Sequence, residues 1–183
     1  LRAMSHYKAT TSGGPNFAYD LCVRKITPAQ RATLDLSSWS VAFNGSEPIR
    51  HETLERFTAT FASCGFRRES FYPCYGLAEA TLFVTGGLPA ACPVVHTVQS
   101  AALEHNQVVP APTEHKDTQA FVGCGQSWLD QRIVIVDPAS LTRCPPGRVG
   151  EIWVSGSSIA QGYWHRSEDT THTFRAHLVD TGE

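Results

Sequence analysis

The chain has 183 residues, 42% of them hydrophobic and 17% charged, an ordinary globular balance with enough length for one sizeable core. Its formal net charge of −2 supplies no basic field for a phosphate backbone, which excludes nucleic acid as an expected partner. The longest purely aliphatic stretch, residues 133–136, falls far short of the roughly 20 that cross a bilayer, and the start lacks the pattern of a secretory signal, so no membrane span and a cytoplasmic location are expected.

In chain order, Ser12-Gly13-Gly14-Pro15-Asn16-Phe17-Ala18-Tyr19 reads as a Gly-Gly-Pro turn before an apolar helix. Residues 27–34 read as a short helix, with Thr27 as N-cap and Pro28 at the first helical position. Trp39-Ser40-Val41-Ala42-Phe43 alternates bulky and small side chains as a strand does, and Asn44-Gly45-Ser46-Glu47-Pro48 suits a sharp strand-to-helix reversal. From Pro48 to about Cys64, Leu54, Phe57 and Phe61 share one helical face, with Ile49 near the start and Gly65 as the stop. Ser70-Phe71-Tyr72 is then a strand running into Pro73-Cys74-Tyr75-Gly76. Two strand-then-turn units joined by a helix give a βαβ pattern, whose ligand sites lie at the carboxyl ends of the strands.

Residues 86–117 differ in character, with Pro89, Pro93, Pro110 and Pro112 around one helical candidate at 100–107, and read as an excursion from the core. Beyond it, Ile133-Val134-Ile135-Val136 reads as a buried strand, Pro145-Pro146-Gly147 as a tight turn with glycine at positive φ, and residues 151–154 as a return strand in an antiparallel arrangement. The six cysteines show neither a CxxC pair nor histidines at zinc-site spacing and read as free thiols. The eight histidines form no HExxH, and His96, His105 and His115 fall in what reads as solvated loop, so no histidine metal site is expected.

Tyr72-Pro73-Cys74-Tyr75-Gly76-Leu77-Ala78-Glu79-Ala80-Thr81 is the stretch richest in chemistry. A flat aromatic, a glycine that admits close backbone approach and a carboxylate at a strand end could stack a base and hold a hard cation. The bland alternative makes Tyr75 a core aromatic and Glu79 a solvated acid in the first turn of a short helix, where the dipole favours it. On the residues alone the bland alternative stands ahead, because short motifs are weak signals.

A resemblance weighs between them. YGLAEAT resembles the YG-x-(Thr/Ser/Ala)-Glu signature of the adenylate-forming superfamily, and the 44–48 turn resembles its Gly-rich turn against the other face of adenine. Gly150-Glu151-Ile152-Trp153-Val154-Ser155-Gly156, followed by Gln161-Gly162-Tyr163-Trp164, resembles a further element of that superfamily, in the same order. Residues 12–19 are similar to the SGGPNFAY stretch of the fatty acyl-AMP ligases in particular. The Pro-rich excursion resembles their insertion, held to restrain the C-terminal domain from the thiolating orientation.

The resemblance implies an α/β fold: part of the large N-terminal region, with a βα portion (1–87), the insertion (88–122) and a β-rich portion (123–183). It implies ATP and Mg as cofactors. Tyr75 would stack on adenine with Gly76, Leu77 and Ala78 beside the nucleotide, Gly45, Ser46 and Glu47 would form the opposing wall, and Glu79 would bind the Mg ion. Gly14, Asn16 and Phe17 would line the acyl tunnel. Ala78 stands where the wider superfamily often carries a hydroxyl, and Thr11 where many relatives carry a histidine. The implied activity is conversion of a fatty acid to its acyl-adenylate, with an acyl carrier protein or a polyketide or peptide synthase carrier domain as the next acceptor. A coenzyme A ligase, or a non-catalytic nucleotide- or acyl-binding remnant, are the alternatives. The start at Leu1, the end at Glu183 and the lack of a Ser/Thr/Gly-rich phosphate loop lead us to expect an internal piece, inactive by itself.

Overall fold

The computed structural model describes residues 1–112 and 117–182, so His115 and Glu183 lie outside the described residues. The chain divides into two compact units, the first made of Leu1–Tyr75, Thr85–His96 and Ala120–Gln126, the second of Gly76–Val84, Thr97–Gln119 and Ser127–Glu183.

The first unit opens with α1 (Arg2–Tyr7), β1 (Thr11–Gly13), α2 (Asn16–Lys25), α3 (Pro28–Arg31), β2 (Val41–Asn44) and α4 (His51–Phe61), and β3 (Phe71–Leu77) begins in it. α2 starts straight after the Gly-Gly-Pro turn, as expected. α3 has the expected N-cap, and Gln30 completes it: the Thr27 side chain accepts from the Gln30 amide while the Gln30 side chain accepts from the Thr27 amide. α4 presents Leu54, Phe57 and Phe61, all fully buried, then tightens into a 3-10 turn at Ala62–Cys64 and stops at Gly65 with φ 84°. It starts at His51 rather than Pro48, because Arg50 is extended and its amide is taken by the side chain of Asn16 at 3.1 Å.

β1 pairs with β2 and β2 with β3, both parallel, as the βαβ reading requires. β3 does not turn at 73–76 as expected but runs on to Leu77. Pro73 lies opposite Asn44, the last residue of β2, so its missing amide falls where that ladder ends. With β4 (Leu82–Gly86) and β7 (Gln126–Ser127) the sheet order is β1-β2-β3-β4-β7. Phe57 is the hub of the core: its ring centroid lies 4.6 Å from Phe61, 4.9 Å from Phe66, 5.0 Å from Tyr19, 5.9 Å from Phe71 and 6.0 Å from Trp39, mostly edge to face.

The second unit is thinner. β8 (Arg132–Asp137) pairs antiparallel with β10 (Glu151–Ser155) on one edge and β9 (Thr142–Arg143) on the other. Gly147 takes φ 81° in the expected turn. The expectation of a buried strand at 133–136 is corrected: only Val136 is buried, and Ile135 is 37% exposed. An unbroken apolar run suggests cover on both faces, whereas an antiparallel sheet can leave one to solvent. In the excursion the helical candidate shortens to α5 (Ser100–Leu103), and two strands, β5 (Val95–Gln99) and β6 (Thr118–Val122), pair with each other. α6 (Ser167–Phe174) is the last regular element among the described residues. Among the described residues no helix is long and apolar enough to cross a membrane, and all six cysteines are free.

Candidate active site

The parallel register brings three candidate segments to neighbouring strand ends in the first unit. Gly13 of β1 lies opposite Phe43 of β2, and the Gly14 amide donates to Phe43 O at 3.0 Å. Asn44 lies opposite Pro73 of β3, so Gly45 follows directly on the end of β2 while Tyr75, two residues past Pro73, lies in the part of β3 that runs on beyond β2. Gly45 packs on β3 so closely that a β-carbon there would sit 2.9 Å from Cys74 O, and Ser46 takes φ 70° to complete the turn. Tyr75 is half-buried at the end of this stretch.

Asn16 ties these segments together. It is 1% exposed, donates to Pro48 O at 2.8 Å, and its Oδ1 accepts from the Arg50 amide and, at 3.4 Å, from Asn44 Nδ2. A buried amide satisfied at both ends fixes the start of α2 to the 44–50 turn. Phe17, next in sequence, is 64% exposed and lines a cleft of about 490 Å³ with Asp20, Arg24, Glu47, Arg50 and Arg56. In that cleft Arg56 is paired with Asp20 at 2.9 Å, while Glu47 Oε1 is buried with no hydrogen-bond partner among the described residues.

In the second unit, Gly76 passes so near the chain that a β-carbon would fall 1.7 Å from Leu82 O. Leu77 is half-buried, Ala78 is exposed, and Ala78–Ala80 makes one 3-10 turn carrying Glu79. Thr81 and Leu82 follow at φ 56° and 81°, an unfavourable backbone for two residues with side chains, and the surroundings hold it in place. Thr81 Oγ1 donates to Ser158 O at 2.5 Å, Gln131 Nε2 donates to Ser158 Oγ at 2.7 Å and Phe83 O at 3.0 Å, and the Ala160 amide donates to Glu79 O at 2.8 Å. The Tyr163 hydroxyl donates to Glu79 Oε1. That bond, helped by Glu79's own backbone amide, holds the carboxyl below the usual carboxylate range, and it pushes the Tyr163 phenol up.

Two motifs quoted separately from the sequence, around Glu79 and around Tyr163, are thus joined by a hydrogen bond that sequence reading did not anticipate. Tyr163 could have been singled out from its place in Gln161-Gly162-Tyr163-Trp164; nothing local marks Gln131 or Ser158. Among the described residues no group of three or more His, Cys, Asp or Glu could hold a metal. A single anionic carboxylate nevertheless suits Mg, which keeps waters and phosphate oxygens as most of its ligands.

Residues 1–164 match the AMP-binding enzyme family. The medium-chain-fatty-acid [acyl-carrier-protein] ligase JamA of Moorena producens is 49% identical over 185 aligned positions, covering 100% of this chain and 31% of JamA. The corresponding ligase TtuA of Teredinibacter turnerae is 46% identical, covering 96% of this chain and 27% of TtuA. The crystal structure of a fatty acyl-adenylate ligase from Legionella pneumophila, in complex with acyl adenylate and pyrophosphate, superposes with a TM-score of 0.89 at 46% identity, over 94% of this chain and 30% of that one. The chain therefore spans about a third or less of the length of the relatives it matches.

Proposed function

Because this chain belongs to the AMP-binding enzyme family, we propose that it is part of a fatty acyl-AMP ligase that activates a fatty acid with ATP. The observation that carries the reading is the Asn16 staple, which makes the acyl-type stretch at Gly14, Asn16 and Phe17 and the turn at Gly45, Ser46 and Glu47 one hydrogen-bonded assembly. An enzyme that joins an acyl carboxylate to a nucleotide needs those two walls held in fixed relation, since positioning lowers the barrier.

In the proposed reaction a carboxylate oxygen of the fatty acid attacks the α-phosphorus of ATP, the bond to the β-phosphate breaks, and acyl-adenylate and pyrophosphate form. Tyr75 offers its ring to adenine beside the backbone of Gly76, Leu77 and Ala78, and the Gly45–Glu47 turn faces it. Glu79 would hold Mg through a carboxylate oxygen, and Mg, when bound, would supply charge that neutralises the phosphates. The names of JamA and TtuA point to a medium-chain acid and to an acyl carrier protein as the acceptor, and a carrier domain of a synthase fits the same role. The reading puts the protein in the cytoplasm.

Fatty-acid-dependent ATP–pyrophosphate exchange by the complete protein is the test. Exchange with medium-chain acids and acyl transfer to a carrier protein are expected. Absence of exchange with any fatty acid would contradict the reading, and efficient acyl-CoA formation would make it a coenzyme A ligase.

A further inference from the structure

Tyr163 is held at three points that do not involve Glu79. Gly162, at φ 149°, approaches α6 so closely that a β-carbon would lie 2.3 Å from Thr170 Cγ2. The Tyr163 amide donates to Thr170 Oγ1 at 2.9 Å, and the Tyr163 ring meets Phe174 edge to face at 5.2 Å. Its hydroxyl is therefore aimed by α6. Glu79, by contrast, sits on a single 3-10 turn beside two residues at positive φ, anchored by its backbone carbonyl to the Ala160 amide. Of the two side chains, the tyrosine is the fixed one and the carboxylate the one that is steered.

We propose that Tyr163 is a positioning residue for Glu79: by binding Oε1, together with Glu79's own backbone amide, it restrains the carboxylate rotamer in which Glu79 is offered to a divalent cation. The proposal rests on the reading of Glu79 as a metal ligand. A free glutamate at a half-buried turn would sample several rotamers and offer either oxygen, and each cation encounter would have to select the productive one. A charge-assisted bond from a donor held by α6 narrows that selection. The lever arm from α6 through Tyr163 also gives the Gln161-Gly162-Tyr163-Trp164 motif a task that chain-local structure does not explain.

The test uses the complete protein with ATP and Mn²⁺ as a paramagnetic probe of the metal site. Tyr163→Phe keeps the ring that meets Phe174 and removes the hydroxyl, and with it the bonds to Glu79 and to Thr173. Its Mn²⁺ dissociation constant, read by electron paramagnetic resonance, is expected to rise about tenfold to a hundredfold, the range seen when a ligand's hydrogen-bond partner is lost. Saturating metal should restore kcat, while KM for the fatty acid and the melting temperature stay at wild-type values. Thr170→Val, which loosens the tyrosine without touching its hydroxyl, should give a smaller shift in the same direction. In Glu79→Gln the further change Tyr163→Phe should add nothing. Wild-type Mn²⁺ affinity in Tyr163→Phe, alongside weakened binding in Glu79→Gln, overturns the positioning role alone. Wild-type affinity in Glu79→Gln overturns the metal-ligand reading and this inference with it. A melting temperature that falls in step with metal affinity in both Tyr163→Phe and Thr170→Val would make the bond merely structural.

Discussion

The two compact units hold their candidate site residues by different means. In the first, Gly45 and Tyr75 follow from strands packed on a cluster of aromatic rings centred on Phe57, and their positions are consequences of a core. In the second, buried hydrophobics are few (Ala80, Val84, Val98, Val136 and Leu178), and Glu79 is placed by hydrogen bonds from Tyr163 and Ala160 and by the Thr81–Ser158–Gln131 contacts beside it. Packing in a buried core tolerates little loss, whereas an exposed polar contact such as that from Tyr163 to Glu79 can be lost at small cost to stability. Substitutions in the first unit should therefore register as stability, those around Glu79 as function.

The largest expected effect is in the aromatic core. Phe57→Ala removes the ring that five others contact, and should lower the unfolding free energy by about 3–5 kcal/mol, measured by urea denaturation. A loss below about 1 kcal/mol would break the contrast at its strongest point. Tyr75 tests the edge of that unit, where packing meets ligand. Tyr75→Ala should weaken ATP by roughly 1–2 kcal/mol while Tyr75→Phe changes it little, because a stacking ring needs no hydroxyl. Equal losses in an ATP titration of both would assign the effect to the hydroxyl. The smallest effect is expected in the second unit: Ile135→Ala, at a position 37% exposed, should cost only about 0.5 kcal/mol. A cost like that of Phe57→Ala would mean that face of β8 is covered in the complete protein.

What could be read from sequence was local. Thr27 and Pro28 announce a helix start because an N-cap acts within three residues, and Leu54, Phe57 and Phe61 announce a buried face because helical period is a property of the segment. The extension of β3 through Pro73 was not legible, since it depends on where β2 ends in the register. Nor were β5 and β6, whose pairing lies within a proline-rich stretch that reads as loop. The bond from Tyr163 to Glu79 spans 84 residues, and the Asn16 staple spans 32 to Pro48 and 34 to Arg50. Both residues stand in motifs that sequence comparison by eye can mark, but a motif says which residues matter without saying which touch. Exposure of β8 failed for a similar reason: an apolar run records what could be buried, and the neighbours decide how much is.

In the proposed chemistry Glu79 acts as a carboxylate and not as part of the scaffold. Pyrophosphate release by the complete protein, with saturating fatty acid and Mg, compared between wild type and Glu79→Gln, tests this most directly. The variant should release pyrophosphate at a rate lower by at least about a hundredfold with an unchanged melting temperature, because a ligand to the charge-neutralising cation is lost and no core contact is. Pyrophosphate release within a few-fold of wild type would contradict it.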